Sequence, residues 1–312
     1  MSDSDRILIL LATFNGGKFL EEQLNSFLSQ SDSKWDLLVS DDGSTDSTLK
    51  ILEGFKEKTK GYHTVQILRG PQAGHARNFL SLIARVPEAT SFIAFSDQDD
   101  VWLPQKLSRA RAKIEAAMRG SAPILYAASS YIYDEARNIK KRSPTFRRAP
   151  SFGNALVQSI GGGNTMMLNA PAIKLLKAAA QEADAIVVHD WWIYQIISGC
   201  GGVVIRDPEP MIYYRQHEGN SIGANRSLQS KLERIRQVSE RRYAGWNEIN
   251  ISTLQASHQR LTPEAQNILS HFSKARHGGP LSRLLALYRS GVYRQTILET
   301  VALYLACSVR RL

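Results

Sequence analysis

Apolar positions along this chain change period in a regular way. Ile7–Ala12 is an uninterrupted apolar run that leads to Thr13, after which Phe19, Leu20, Leu24, Phe27 and Leu28 return at helical spacing. Leu37–Ser40 is apolar again, and Leu49, Leu52 and Phe55 resume the helical period. Val65–Leu68 precedes a helix expected over Ala76–Arg85, and Phe92–Ser96 precedes another starting near Pro104. Four strand–helix units within about 120 residues predict an α/β fold with a largely parallel sheet. Ligands of such sheets bind beyond the carboxyl ends of the strands. Polar clusters stand at those places: Thr13-Phe14-Asn15, Asp41-Asp42-Gly43-Ser44 and Asp97-Gln98-Asp99-Asp100.

Beyond residue 123 the pattern loosens. Ile124–Tyr133 alternates like a strand, and a basic loop follows with Lys140, Lys141, Arg142, Arg147 and Arg148. Gly161-Gly162-Gly163 leads into a strand expected over Thr165–Leu168, with helices expected around Ala170–Ala180 and Asp190–Ile197. Val203–Arg206 and Met211–Arg215 read as two closing strands. From Ser227 the pattern is helical and amphipathic, with Leu228, Leu232, Ile235, Val238 and Trp246 on one side and arginines between them. This places a boundary near residue 222, with a first domain over 1–222 and a basic helical region over 223–312.

Composition sharpens this division. An apolar fraction of 43% with 22% charged residues fills a core and excludes a disordered chain. The net charge of +10 is unevenly placed: residues 1–225 hold 25 Lys or Arg against 24 Asp or Glu, whereas residues 226–312 hold 14 against 5. A basic tail of that kind implies an anionic partner. Cys200 and Cys307 are far apart and lack zinc-ligand spacing, which excludes a disulfide framework and suits a reducing cytoplasm. The longest apolar run falls far short of the ~20 residues of a spanning helix. The first residues do not read as a secretory signal.

The strongest chemical signal is Asp97-Gln98-Asp99-Asp100. Three carboxylates in four residues repel one another unless a cation or donors compensate. Asp100 suits a cap for the next helix, whereas Asp97 and Asp99 at a rigid strand end suit Mg²⁺ or Mn²⁺ shared with a diphosphate. Asp42 is placed to accept the imide N–H of a pyrimidine base, and Ser44 or Asp46 to cap the following helix. No Gly-x-Gly-x-x-Gly follows a strand and no Walker sequence occurs, so neither a dinucleotide cofactor nor P-loop phosphoryl transfer is supported.

Four ordered segments carry a resemblance: Ala12-Thr13-Phe14-Asn15-Gly16, Val39-Ser40-Asp41-Asp42-Gly43-Ser44-Thr45-Asp46, Gly74-His75-Ala76-Arg77-Asn78-Phe79 and Phe95-Ser96-Asp97-Gln98-Asp99-Asp100-Val101-Trp102. Over roughly residues 6–220 the chain resembles the family 2 glycosyltransferases of the GT-A fold. The Ser-Asp-Gln-Asp-Asp-Val-Trp form, His189-Asp190-Trp191-Trp192 and Tyr214-Arg215-Gln216-His217 are further similar to its bacterial rhamnosyltransferase branch. The resemblance implies that Thr13 and Asn15 line a nucleotide pocket, that Asp42 meets the base with Asp41 beside it, and that Arg77 lies near the base or diphosphate. It implies Asp97 and Asp99 as the Asp-x-Asp pair, with Asp99 the direct metal ligand and His217 completing the site. Asp190 matches the catalytic base, and Gly161, Gly162 and Gly163 the acceptor-side loop. Read plainly, Asp190 is a helix N-cap, His217 a solvated loop residue, and Trp191 and Trp192 core residues, one of which could instead stack on an acceptor sugar.

Two departures modify what the resemblance implies. His189 stands where many members have an acidic residue, and no Gln-x-x-Arg-Trp sequence occurs, so single-sugar transfer is expected rather than processive synthesis. The expected enzyme is inverting and metal-dependent, taking a dTDP- or UDP-sugar, with dTDP-L-rhamnose foremost. Its acceptor would be a glycan or lipid-linked glycan, reached from the cytoplasm or from a peripheral position on an anionic membrane surface, with a homodimer as one assembly. A catalytically silent nucleotide-sugar-binding protein would carry the same site residues. A nucleic-acid-binding protein would explain the charge, but the tail sets its arginines among leucine and isoleucine rather than stacking aromatics, so no nucleic acid is expected.

Overall fold

The computed structural model describes residues 6–134, 139–216 and 242–312. In chain order its elements begin with β1 (Ile7–Thr13), α1 (Leu20–Leu28), β2 (Trp35–Asp41), α2 (Thr48–Thr59), β3 (Val65–Arg69), α3 (His75–Arg85) and β4 (Phe92–Ser96). There follow β5 (Val101–Trp102), α4 (Lys106–Ala117), β6 (Ile124–Asp134), β7 (Ile139–Arg142), α5 (Phe152–Ala155), β8 (Met166–Asn169), α6 (Ala170–Glu182), α7 (His189–Gly199) and β9 (Val203–Arg215). The chain ends in α8 (Arg242–Ala256), α9 (Pro263–Lys274), α10 (Pro280–Ser290) and α11 (Ile297–Ser308).

Among the described residues the strands form one sheet in the order β3-β2-β1-β4-β8-β6-β9-β5, with β7 paired to β6. The first four are parallel, as the strand–helix alternation predicts. β8 then runs antiparallel to both β4 and β6, which turns the remaining sheet into a mixed half. Register aligns the polar strand ends: Thr13 pairs with Asp41, and Leu11 with Ser96.

Both faces of the parallel half are covered, which is why its strands read as near-continuous apolar runs. Ile7, Ile9 and Leu11 join Leu20, Leu24 and Phe27 of α1 and Leu107 and Ile114 of α4 in one core. Leu10 and Ala12, on the opposite face, join Phe79 and Ile83 of α3 and Leu176 of α6 in the other. That second core continues through Ile193 of α7 into Leu254, Leu269, Leu287 and Leu303 of the four C-terminal helices. The basic region therefore shares a core with the sheet. The boundary expected near residue 222, and the amphipathic positions Leu228, Leu232, Ile235 and Val238, lie outside the described residues.

One expectation is corrected. The two closing strands are a single strand, β9, because Asp207-Pro208-Glu209-Pro210 is absorbed by register shifts against Ala127, Ser129 and Tyr131 of β6. Proline cannot donate to a ladder, and irregular pairing is where a strand tolerates it.

Candidate active site

The loops after β1 and β2 lock together through short polar side chains. Asn15 adopts φ +47°, a left-handed conformation that asparagine tolerates better than most residues. Its amide donates to Ser44 Oγ at 2.8 Å, while its Oδ1 accepts the Thr45 N–H at 2.9 Å. Asp41 accepts from Thr13 Oγ1 (2.7 Å), Gly43 N (3.2 Å), Ser44 N (2.8 Å) and Ser44 Oγ (2.6 Å). A carboxylate has about four acceptor positions, so Asp41 is consumed by its own loop and acts as a strut. Asp42 accepts the N–H groups of Gln72 (2.6 Å) and Gly74 (2.8 Å), leaving acceptor capacity on each oxygen. The two neighbouring aspartates thus differ in what they can offer a ligand.

The acidic turn after β4 is held from three sides. Gln98 clips it to the first loop, accepting the Phe14 N–H at 2.9 Å and donating to the Phe14 carbonyl at 3.0 Å. His75, opening α3, lies 3.2 Å from Asp97 through Nε2. Burial pushes the Asp97 carboxyl up, but the His75 contact outweighs it and holds the group below the usual carboxylate range. Burial likewise opposes the His75 imidazolium, and Asp97, with Asp190 and Asp99, overrides it and raises that pKa.

Asp100 corrects the expectation of a helix cap. It is fully buried, accepts from Asn164 Nδ2 and from the Arg215 backbone N–H at 3.4 Å, while α4 starts later, after Gln105. Burial first, then the charges of Asp97 and Asp99, raise its pKa well above the carboxylate range. Lys106 is buried below it, its Nζ 3.6 Å from the Trp102 ring centroid, and burial pulls its pKa down to about 7 against the attraction of Asp100.

Arg215, the last residue of β9, is buried although charged. Its Nε donates to the Asp99 carbonyl at 3.1 Å, its Nη2 pairs with Glu22 of α1, and its guanidinium stands 4.6 Å from the Phe19 ring. It fixes the backbone of the acidic turn to the first helix.

The second half of the site is the N-terminus of α7. Asp190 lies in its first turn, where the helix dipole favours a carboxylate. Oδ2 accepts the Gly163 N–H at 3.2 Å and Oδ1 the Trp191 N–H at 2.5 Å. Burial, reinforced by Asp97 and opposed by His75, raises its pKa to about 6. Of the three glycines only Gly163 meets the carboxylate, while the Gly162 carbonyl accepts the Thr165 N–H at 3.0 Å. Gly163 has no alternative: a Cβ there would lie 2.0 Å from His189 Nε2.

His189 is buried, stacked on Phe79 with centroids 3.8 Å apart, and neither ring nitrogen has a partner. Burial and the nearby His75 depress its pKa to about 3, so it is a neutral ring. Its neighbours settle another expectation. Trp191 and Trp192 are both core residues; Trp191 donates from Nε1 to the Ala155 carbonyl at 2.6 Å and stacks near Tyr243. Neither presents a face to an acceptor sugar.

The structure thus brings Thr13, Asn15, Asp41, Asp42, Asp97 and Asp99 to adjoining strand ends and faces them with Asp190 and Gly163. His75 links the two sides, feeling the charges of Asp97, Asp99 and Asp190 alike. Arg77 is placed differently, its guanidinium donating to the Asp184 carbonyl in the segment before α7. His217 lies outside the described residues. Among the described residues no three His, Cys, Asp or Glu side chains form a ready-made metal cage. Sequence reasoning missed the roles of His75, Gln98 and Asn164, and gave Arg215 only as part of the Tyr214-Arg215-Gln216-His217 segment. His75 and Gln98 lie inside the quoted segments, but no periodicity marks their partners.

The model of the family described as Glycosyl transferase family 2 matches residues 8–176. The chain is similar to the dTDP-rhamnosyl transferase RfbG of Shigella flexneri, with 30% identity over 239 residues covering 75% of this chain and 80% of that protein. Among solved structures it resembles S. aureus TarS 1-349 in complex with UDP-GlcNAc, at a TM-score of 0.55 and 16% identity over 91% of this chain and 81% of that one. The mannosyltransferase PcManGT from Pyrobaculum calidifontis, in complex with GDP-Man and Mn2+, gives a TM-score of 0.53 at 12% identity over 98% and 84%. At such identities the structural likeness carries the fold alone.

Proposed function

The chain belongs to glycosyl transferase family 2, and from that premise we propose that it moves one L-rhamnosyl unit from dTDP-L-rhamnose, with inversion, onto a glycan or lipid-linked glycan in polysaccharide synthesis. The rhamnosyl assignment is supported by the RfbG likeness over most of both chains. The single observation that carries the chemistry is the Asp190 carboxylate, clamped to the Gly163 amide and lifted to a pKa of about 6 opposite the acidic turn.

Each group then has a task. Asp42 offers its remaining acceptor positions to the imide N–H of the pyrimidine, while Thr13 and Asn15, braced by Asp41 and Ser44, shape the pocket floor. Asp190 accepts the proton of the acceptor hydroxyl as it attacks the anomeric carbon, which contributes roughly 10²–10⁴-fold. A pKa near neutrality suits it, since a base must be ionised at working pH yet strong enough to take the proton. The glycine loop brings its backbone amide against the carboxylate, which only a residue without a Cβ can do beside the His189 ring.

Asp97 and Asp99 fit a hard divalent cation: both offer carboxylate oxygens at a rigid strand end, and His75 keeps Asp97 ionised. Asp97 and Asp99 would hold such an ion together with the donor diphosphate, and His217, which lies outside the described residues, is the proposed further ligand. When bound there, Mg²⁺ or Mn²⁺ supplies the positive charge that stabilises the departing nucleoside diphosphate. Arg215 holds the Asp99 backbone in place, and serves the site as a brace rather than as a phosphate ligand.

The test is a donor panel. dTDP-L-rhamnose should raise the melting temperature more than UDP-sugars or GDP-mannose do, and its turnover should yield a product of opposite anomeric configuration. Retention of configuration would contradict direct displacement, and protection without any turnover would favour a silent sugar-nucleotide sensor.

A further inference from the structure

The last two helices present an apolar surface outward. The inner side of α10 buries Arg283, Leu287 and Ser290, and that of α11 buries Leu303 and Cys307. Leu281, Leu285 and Tyr288 recur at helical spacing on the opposite side of α10, with Leu281 84% exposed. Leu298, Val301 and Leu305 do the same on α11, where Leu298 is 79% exposed. The two helices touch, so the stripes lie on one hairpin. Soluble monomers rarely leave so many large apolar side chains uncovered together.

The hairpin is held rigidly. Gly291, at φ +62°, ends α10 in the left-handed conformation that glycine adopts without strain. Thr296 accepts the Glu299 N–H at 3.1 Å to start α11. The buried Arg283 guanidinium donates to the carbonyls of Ser308 (2.5 Å) and Gly278 (3.1 Å), tying the start of α10 to the end of α11. Tyr293, between the helices, fastens them to the body: its carbonyl accepts from Asn154 at 3.0 Å and its hydroxyl bonds Ser151 at 2.9 Å.

Charge decides what covers the surface. Residues 276–312 contain six arginines and one acidic residue, Glu299. Arg289, Arg310 and Arg311 are exposed at the ends of the two apolar stripes. A two-fold contact with a second copy would set this arginine rim against itself with little acidic charge to answer it. Lipid phosphates answer it directly. Helices of 11 and 12 residues are too short to span a bilayer but long enough to lie in its surface.

We propose that the outward faces of α10 and α11 dock on an anionic phospholipid surface, with the leucines and Tyr288 at the acyl boundary and the arginines among the phosphates. This goes beyond the reaction assigned above and does not depend on it. The consequence for the enzyme is placement: the buried Asn154, which holds the hairpin at Tyr293, adjoins Ala155, whose carbonyl holds the indole next to Asp190. The catalytic base is thereby tied to the membrane plane in which a lipid-linked acceptor diffuses.

The test is flotation of the full chain with vesicles of phosphatidylcholine alone or mixed with phosphatidylglycerol, at low and high salt. The chain should float with the anionic vesicles at low salt and be released by high salt. L298E/L305E should weaken binding tenfold or more without moving the melting temperature, since both side chains are exposed. R310Q/R311Q should weaken it by roughly fivefold for each charge removed. Should L298E/L305E unfold, Leu285→Glu on the other helix gives the same readout. Absence of flotation at low salt, or flotation indifferent to the leucine substitutions, overturns the proposal. So does sedimentation showing a dimer that L298E/L305E dissociates, which would assign the surface to a second copy.

Discussion

The two sides of the site are built on different principles. The side formed by β1, β2 and β4 is a set of loops that satisfy themselves: Asp41 is spent within its own turn, Asn15 caps the neighbouring loop, and Gln98 clips one strand end to another. The side formed by α7 and the glycine loop is bonded through its backbone instead, Asp190 accepting the Gly163 and Trp191 N–H groups. Asp190 and His189 are positioned by burial, by a backbone with no room for a Cβ, and by residues distant in the chain. On the proposed function the first side would hold the donor, and the second would set the basicity of one carboxylate.

If this division of labour is correct, kinetics and binding should come apart. Asp190→Asn should lower kcat by about 10²–10⁴-fold while calorimetry finds donor affinity unchanged. An equal loss of donor binding would show that the two sides are one unit. Asp99→Ala, on the binding side, should reduce turnover on the order of 10²–10³-fold and also weaken Mn²⁺-dependent donor binding, with the circular dichroism spectrum retained. Asp42→Ala should raise the donor KM about tenfold with kcat little altered, the size expected for a lost buried hydrogen bond. A fall in kcat alone would move Asp42 to the chemical side.

Smaller effects sharpen the contrast. Gly163→Ala forces a methyl into His189 and should cost about 1–3 kcal/mol in thermal or denaturant unfolding. Gly54→Ala in α2, where a Cβ meets nothing within 4 Å, should instead be neutral or stabilising by up to about 1 kcal/mol. The last concerns pH. Asp190 acts when deprotonated and its pKa is raised to about 6, so kcat/KM should be flat above that value and fall as pH drops through it. Halving near pH 6 is the expected size, and Asp190→Glu should shift the limb; a limb near pH 4 would mean that burial does not tune this group.

What could be read from the sequence follows the same line. β1 to β4 and their helices were legible because periodicity is local, and Asp97 and Asp99 stood out because carboxylates crowd one strand end, whereas Asp190 was singled out only by the resemblance. Asp100 was misread because its partners, Asn164 and Arg215, lie in segments that come beside it only in the folded sheet. Trp191 and Trp192 were open to two readings, core or sugar platform, since an aromatic pair at a helix start has the same appearance whether solvent or α8 covers it. Val203–Arg206 and Met211–Arg215 read as two strands, and no local rule says that β6 will shift register to carry the pairing across Pro208 and Pro210. The basic charge of the tail did not reveal that one face of α10 and α11 is buried in the core while the other stays exposed.

Arg215 has a consequence for how the protein is made. The residue that secures the acidic turn is synthesised 115 residues after Asp100. At translation rates of about 5–20 residues per second, that interval is roughly 6–23 s. During it the nascent chain has the parallel strands and the loops that follow them, yet the aspartates must sit beside one another without the guanidinium that anchors them to α1. A ribosome stalled before residue 215 should present an acidic turn still open to protease, and completion of β9 should close it.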